Sequence, residues 1–513
     1  MKQLNRLLYV LVIVKIVLPF FLHNSVFEPH RDEFLYLEHA KHPAWGYLEV
    51  PPLLSLFALI TNLFGAGLFW IKIWPSVFGG LTFLLAGKIV LLLGGRKFAL
   101  LLTFLPFVLG GYLRLFFLFQ ANFLDVFFWT AMAFCLIHYI FSGQNKWLYG
   151  FGVCAGLGLM SKYSAAFFIV SLLAGLLLTG SRKVYLNKHL YFSGLIAFLI
   201  FLPNLLWQYQ HNFPVIHHMA ELREQQLQFI NPADFIAGQV MMNFPCVFIW
   251  IAGLAAPFVS RELWKYRVFT WSWLSVIGLL LFFRGKDYYA LGAYPVLFAI
   301  GALWLESATR LRFRWVRYAL LTCSVALGLY ALPVVMPVAK PEVLAAYYKM
   351  SGLSRPEGFK WEDQKYHPLP QDFADMIGWK ELSRKAAAVY RSLPAEQRKE
   401  TMIYCRAYAT AGALNYYGKE FGLPNVYSDD SSFLLWMPDK YNIKNLLLVG
   451  HQIPDKDDRV FQEFERYTVK DSLDLPLFRE NGIRFILYEG AKPGLNKLIE
   501  ESVAEQRKAY LRN

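Results

Sequence analysis

The stretch HRDEFLYLEHAKHPAWGYLEVPP, residues 30–52, holds four carboxylates and three histidines between two strongly apolar segments. Carboxylates grouped in this way suit general acid–base work, and carboxylate with histidine suits a divalent metal. At helical spacing Asp32 and Tyr36 share a face, and Glu33 lies one step round. Phe34, Leu35 and Leu37 would then rest on lipid headgroups, so a solvated helix lying on a membrane also explains the pattern. The company of His30, His39, His42 and Glu49 favours chemistry, and Pro51-Pro52 stiffens the return of the chain.

Three other places carry groups that an apolar chain seldom keeps. Asp125, in QANFLDVFFWTA, sits just inside the end of an apolar segment. Intramembrane carboxylates are costly and usually face a polar interior, although a helix N-terminus also stabilises an Asp. Lys162-Tyr163, in GLMSKYSAAF, falls between two apolar segments, where snorkelling is the plain alternative. Arg284, Lys286, Asp287, Tyr288 and Tyr289, in FFRGKDYYALGAYP, form another such turn. Cations kept among acids bind anions, and a phosphate at a membrane surface is the obvious candidate.

The elements that must position these groups follow from composition. The chain has 513 residues, 56% hydrophobic and 17% aromatic. Apolar residues come in runs of about 16 to 24 up to Pro337, and about 20 span a bilayer. Residues 1–337 are therefore expected to be a polytopic membrane domain, and 338–513 a soluble α/β domain outside the membrane. Eleven spans are expected, near 7–23, 73–93, 98–117, 122–141, 147–161, 164–180, 189–206, 235–258, 268–283, 288–305 and 318–337. The first is expected to be uncleaved, since no small-residue cleavage site follows it. Residues 53–69 are expected to lie in the interface as a short helix, which keeps Arg96 and Lys97 inside. The basic clusters Arg182-Lys183, Arg261/Lys265/Arg267 and Arg310/Arg312/Arg314/Arg317 then also fall inside, as the distribution of Lys and Arg demands. Ten of the 12 acids before residue 340, all but Glu262 and Glu306, fall outside.

The net charge of +14 lies almost wholly in the membrane half, because the tail from Lys340 has 26 basic and 25 acidic residues. That split argues for membrane orientation and against nucleic-acid binding. Cys405 is the one cysteine of the tail, so no disulfide forms within it, and no metal-type cysteine spacing occurs. In the tail the pattern predicts helices at 371–392, 408–417 and 493–510 and strands at 401–406, 444–450 and 483–489.

The order of features resembles the GT-C superfamily of integral-membrane glycosyltransferases. It is most similar to the bacterial relatives of dolichyl-phosphate-mannose–protein mannosyltransferases, a group that includes the lipid A aminoarabinose transferase. The matching pieces are RDEFLYLEHAKHPAWGYLEVPPLLSLFALITNLFG, ANFLDVFFWTA, LGLMSKYSAAF and RGKDYYALGAYPVLFAIGALWLE, with IGWKEL, GALNYYGKEFGLPNVYSDDSSFLLWMP and ENGIRFILYEG in the tail. The resemblance covers nearly the whole chain; its first-loop pattern is fairly specific and the others are weak singly. It implies a polyprenyl-phosphate-linked sugar donor and transfer to a glycan, lipid A or protein hydroxyl at the outer face of a bacterial inner membrane. It puts Asp32 in the place of the essential first-loop acid, and Glu49 in that of the acid before the loop-ending proline, which in some members contacts a metal. Val50 and Leu35 stand where some relatives have cations. Phosphate binding then falls to Arg284, Lys286 and Lys162, with Tyr288 and Tyr289 beside them, and an aminoarabinose donor is put in doubt.

The chemistry needs few parts. A sugar on lipid phosphate has a good leaving group, so cations need only stabilise the departing phosphate. A carboxylate on the opposite face takes the proton of the attacking hydroxyl. Asp32 is the first choice for that base, and a single displacement inverts the anomeric centre. Glu33 and Asp125 would orient the base or hold sugar hydroxyls, with Tyr36 and His30 beside them. For cofactors the alternatives are none, or a divalent metal at Glu49 and His42, whose spacing matches no standard site. A transporter is the rival from another class, but it needs charges near the midplane on related halves. An envelope assembly or binding protein is the third, and leaves the first loop unexplained.

Overall fold

The computed structural model describes residues 2–310, 313–353, 357–452 and 458–510. Its first two thirds are a helical bundle: α1 (Lys2–Leu22), α2 (Arg31–His39), α3 (Leu53–Leu63), α4 (Leu68–Leu92), α5 (Lys97–Leu109), α6 (Gly111–Leu115), α7 (Ala121–Ser142) and α8 (Lys146–Ser161) come first. They are followed by α9 (Ala165–Leu177), α10 (Lys188–Gln210), α11 (Pro214–Gln225), α12 (Pro232–Met242), α13 (Val247–Val259), α14 (Arg267–Phe282), α15 (Tyr294–Ala308) and α16 (Arg314–Val335).

Every predicted span is helical, but not every one is a long continuous helix. Among the described residues, six helices are long and apolar enough to cross a bilayer, and up to eight if two bent pairs each count as one. The predicted spans 98–117, 147–161 and 268–283 yield helices of 13, 16 and 16 residues, too short for that test. The first of them stops at Gly110, which is extended, and resumes as α6. The predicted span 235–258 folds as α12 and α13, bent by 102°. As expected of an interfacial element, α3 has only 11 residues. It is about 16 Å long, half the thickness of a hydrocarbon core.

Small residues let the helices approach closely. A Cβ at Gly301 of α15 would lie 1.9 Å from the Ile249 carbonyl of α13, and one at Gly253 of α13 would lie 2.1 Å from that of Leu297. Two of the basic clusters meet at the C-terminal end of α15, where Arg317 donates to the Glu306 carbonyl. There Glu306 accepts the N–H groups of Arg96, Phe98 and Ala99 at 2.6, 3.0 and 3.2 Å, closing the N-terminus of α5. Arg312 lies outside the described residues.

The tail forms a five-stranded mixed sheet of order β2-β1-β3-β5-β4. Its strands are β1 (Thr401–Cys405), β2 (Val426–Tyr427), β3 (Asn445–Gly450), β4 (Phe464–Ser472) and β5 (Arg484–Ala491). The predicted strands correspond to β1, β3 and β5, and the predicted helices to Tyr408–Tyr417 and Leu495–Lys508. The predicted helix 371–392 is interrupted: it runs from Gln371 to Ala374 and again from Trp379 to Ser392. Gly378, at φ +88°, sits in the break in the left-handed conformation that glycine tolerates.

The first loop belongs to the core of the tail. Phe27, Phe34 and Leu35 are buried with Phe373, Trp379, Leu382 and Leu414. The ring of Phe34 lies 5.7 Å from that of Trp379 and 5.4 Å from that of Tyr416. Helix Tyr408–Tyr417 approaches α2 at Gly412, where a Cβ would sit 2.8 Å from that of Phe34. Gly412→Val should therefore destabilise the protein by roughly 1–3 kcal/mol through overpacking, seen as earlier thermal unfolding in detergent.

Candidate active site

Helix α2 starts where two side chains satisfy its free N–H groups. Asp32 N–H donates to His30 Nδ1 at 3.2 Å, and His30 N–H donates to Glu33 Oε2 at 2.8 Å, a reciprocal cap. Glu33 is fully buried and has further partners: Lys72 Nζ donates to its two oxygens at 2.6 and 2.7 Å, and Phe119 N–H donates at 2.6 Å. Its lone pairs are committed to pinning α2 against α4 and the start of α7. This corrects the expectation that Glu33 shares the chemistry with Asp32: the groups that saturate it keep it from a substrate.

One step round the helix, Asp32 points the other way, with about a quarter of its side chain exposed (26%). Tyr408 of the tail donates its hydroxyl to Oδ1 at 2.7 Å, and Gln120 Nε2 donates to Oδ2 at 2.9 Å. Arg31 Nε lies 3.7 Å from Oδ1. Burial pushes the Asp32 carboxyl up, but His30, Arg31, the Tyr408 hydroxyl and Lys286 more than offset it, and the group lies below the usual carboxylate range. Because His30 Nδ1 accepts a backbone N–H, the ring proton sits on Nε2.

Tyr36 stands near Asp32, Glu49 and Tyr289, whose charges add to burial in raising its hydroxyl well above the usual range. Lys162 caps the far side: its Nζ donates to Asn122 Oδ1 at 2.6 Å and lies 4.1 Å from the Tyr289 ring centroid and 5.4 Å from that of Tyr288. Burial draws Lys162 down to about 8, with Lys286 adding to the effect and Asp125 opposing it. Asp125 is buried and accepts the Ser164 hydroxyl at 2.7 Å. Lys286 is half-buried, and its ammonium makes no hydrogen bond or close ion pair with the described residues. Chain-distant Asp32, Tyr36, Asp125, Lys162, Lys286, Tyr288 and Tyr289 thus meet at the end of the bundle opposite Glu306.

Glu49 is half-buried at the edge of this group. Ser432 of the tail holds it through its N–H and through Oγ at 2.7 Å, and His39 Nε2 lies 3.4 Å away. Burial raises its carboxyl, but His39 and Ser432 bring it below the ordinary value. Two expected members lie elsewhere. Arg284 is exposed, adopts φ +54° and donates to the Gln228 carbonyl at 2.8 Å. His42 stacks on Trp436 at 4.4 Å, so the histidine beside Glu49 is His39.

The fit of a metal can be tested at two places. Glu49 and His39 supply two ligands, and the Glu49 oxygens are already engaged by Ser432. Among the described residues, three metal-ligating side chains come together at His30, Asp372 and Asp375. His30 Nε2 lies 3.9 Å from Asp372 and 3.6 Å from Asp375. It carries the ring proton, and a metal there would force a proton onto Nδ1, against the Asp32 N–H. Arg114 also donates to Asp372 at 2.7 Å. Neither place fits a metal as arranged.

Sequence reasoning missed Arg31, Gln120, Tyr408, Ser432 and Lys72. Arg31 and Lys72 left a signal, the first as the neighbour of Asp32 and the second as a lone cation in an apolar run. Tyr408 and Ser432 left none, because each meets its partner across more than 370 residues.

Residues 49–207 match the family model of the dolichyl-phosphate-mannose-protein mannosyltransferases. No curated protein matches the chain by sequence. The structure of ArnT from Cupriavidus metallidurans bound to undecaprenyl phosphate superposes at a TM-score of 0.60 and 14% identity, over 95% of this chain and 97% of that one. Its apo state gives 0.59 and 12%, over 95% and 98%. The oligosaccharyltransferase of Archaeoglobus fulgidus, in complex with zinc and sulfate, gives 0.50 and 13%, over 86% and 67%. The fold is that of the GT-C glycosyltransferases. The likeness to the ArnT structures covers 95% of this chain, bundle and tail together. At these identities it carries the fold, and residue roles have to come from the site itself.

Proposed function

We propose that the protein is a multi-pass membrane glycosyltransferase that moves a sugar from a polyprenyl-phosphate donor to an acceptor hydroxyl at the outer face of the inner membrane, with inversion. The observation that carries this is one partly open carboxylate, Asp32, kept ionised opposite two cations, Lys286 and Lys162, of which Lys286 makes no hydrogen bond or close ion pair with the described residues. The ArnT structure with undecaprenyl phosphate supports the donor class. The tail faces the same side as the site and would stand in the periplasm.

In this mechanism Lys286 and Lys162 hold the lipid phosphate and stabilise its charge as the bond to the anomeric carbon breaks. Asp32 takes the proton of the acceptor hydroxyl as that oxygen attacks from the opposite face. Asp125 and Tyr36 border the space left for the sugar, and Glu33 keeps α2 in place.

The proposal is tested by supplying purified protein in nanodiscs with a panel of undecaprenyl-phosphate-linked pentoses and hexoses and cell-envelope acceptors; no turnover with any donor would refute it. Lys286→Met should lower kcat/KM for the accepted donor by roughly 10- to 100-fold, the worth of a charge-assisted hydrogen bond. Arg284→Ala should change it by no more than about twofold, as an exposed cation does. The depressed Asp32 carboxyl sets the sign of the pH dependence. The base stays ionised as pH falls through the ordinary carboxylate range, so its acid limb should lie below pH 4 or so. A limb near pH 6 would contradict this assignment.

A further inference from the structure

We infer that Tyr408 is a positioning residue for the base, so that the tail completes the catalytic centre. The inference rests on the proposed role of Asp32 and goes beyond it, because it gives the soluble domain a part in the chemical step. The hydroxyl of Tyr408 donates to Asp32 Oδ1 at 2.7 Å and accepts from Arg31 Nη2 at 3.1 Å. Donating to the carboxylate fixes the orientation of the hydroxyl, and Arg31, which can only donate, does not compete for its proton.

The ring that carries this hydroxyl is itself held firmly. Tyr408 opens the helix Tyr408–Tyr417, and its N–H donates to Asp430 Oδ2 at 2.9 Å. That helix lies on α2 at Gly412, so the phenol and the carboxylate are mounted on two elements in direct contact. Gln120 holds the other Asp32 oxygen from the bundle side. The carboxylate is thus oriented by one donor from each half of the chain, leaving its remaining lone pairs for an acceptor hydroxyl. Glu49 repeats the pattern, held by Ser432 of the tail.

The pH behaviour of Asp32 depends on every charged or titratable group that faces it. These are His30, Arg31 and Tyr36 on its own helix and flank, Lys286 and Tyr288 from the turn before α15, and Tyr408, Asp372 and Asp375 from the tail. Of these groups, Tyr408 is the one from the tail whose neutral hydrogen bond to Asp32 can be deleted without changing charge.

The test compares wild-type protein, Tyr408→Phe and Asp32→Asn in nanodiscs. It uses the one undecaprenyl-phosphate-linked sugar, out of the panel above, that wild-type protein turns over. Tyr408→Phe should lower kcat by roughly 10- to 100-fold, with KM for the donor within about twofold. Its acid limb should move up by about one pH unit, since a carboxylate that loses a donor is easier to protonate. The same shift should appear without substrate, as a higher midpoint for the infrared carboxylate signal that Asp32→Asn removes. A merely structural Tyr408 would lower the active fraction and leave both midpoints in place, and that result overturns the inference. A rise in kcat would overturn it as well, showing the phenol to be a stopper in the seat of the acceptor. Should Tyr408→Phe not fold, 3-fluorotyrosine at position 408 keeps the shape with a more acidic hydroxyl. It should move both midpoints down, and unmoved midpoints again overturn the inference. Activity retained in Asp32→Asn would instead refute the proposed base, whereas a dead Asp32→Asn beside an unaltered Tyr408→Phe refutes only the role of Tyr408.

Discussion

Asp32→Asn is expected to slow glycosyl transfer by roughly 100- to 10,000-fold, the range that general bases supply. The fold should survive, because the amide oxygen can still accept from Tyr408 or Gln120 and no buried charge is stranded. Arg31 keeps Glu362, 3.6 Å from its Nη1, as a counter-ion. The fall should appear in kcat, with KM for the donor little changed, since the proposed mechanism assigns the phosphate to Lys286 and Lys162. Single-turnover kinetics at saturating donor measure this directly. A variant that retains a tenth or more of wild-type turnover would remove Asp32 from the role of base.

A second large effect concerns stability. Glu33→Gln should destabilise the protein by about 3–5 kcal/mol, because it leaves the Lys72 ammonium buried without a counter-ion. Lys72→Met should cost a similar amount by stranding the carboxylate. Together, Glu33→Gln and Lys72→Met should cost clearly less than the sum of the two, because no unpaired charge remains. The amide oxygen introduced by Glu33→Gln can still accept one of the two N–H groups, from Phe119 and His30, that Glu33 served. Detergent-solubilised melting curves of the four proteins close this double-mutant cycle, and strictly additive losses would show that the pair is not coupled.

The success of the sequence follows the physical origin of each signal. Long apolar runs declare themselves, so every expected span is helical though several are broken, and the buried strands β1, β3 and β5 are visible as short apolar runs. Strand β4, FERYTVKDS, is exposed at nearly every position on the sheet edge, and so has no apolar pattern to find. Breaks in helices were lost because they depend on single backbone conformations, as at Gly110 and Gly378. Within the site, Asp32, Tyr36, Lys162 and Lys286 were legible as polar groups placed against an apolar background. Glu33 misled because adjacent residues on a helix point to different places: the same two-letter motif put one acid toward the open site and the other into an ion pair. The partners from the tail could not be found, since nothing local marks Tyr408 or Ser432 as facing residues near the other end of the chain.

The burial of α2 against the tail has a consequence for how the protein is made. Residues 27–35 leave the ribosome early, yet Trp379, Leu382, Tyr408 and Leu414, against which they pack, are synthesised some 350 residues later. At roughly 5–20 residues per second, the first loop waits tens of seconds with Phe34 and Leu35 uncovered. The newly inserted bundle is therefore incomplete, and the surroundings of Asp32 are assembled only when the last part of the polypeptide has been synthesised and has folded against it.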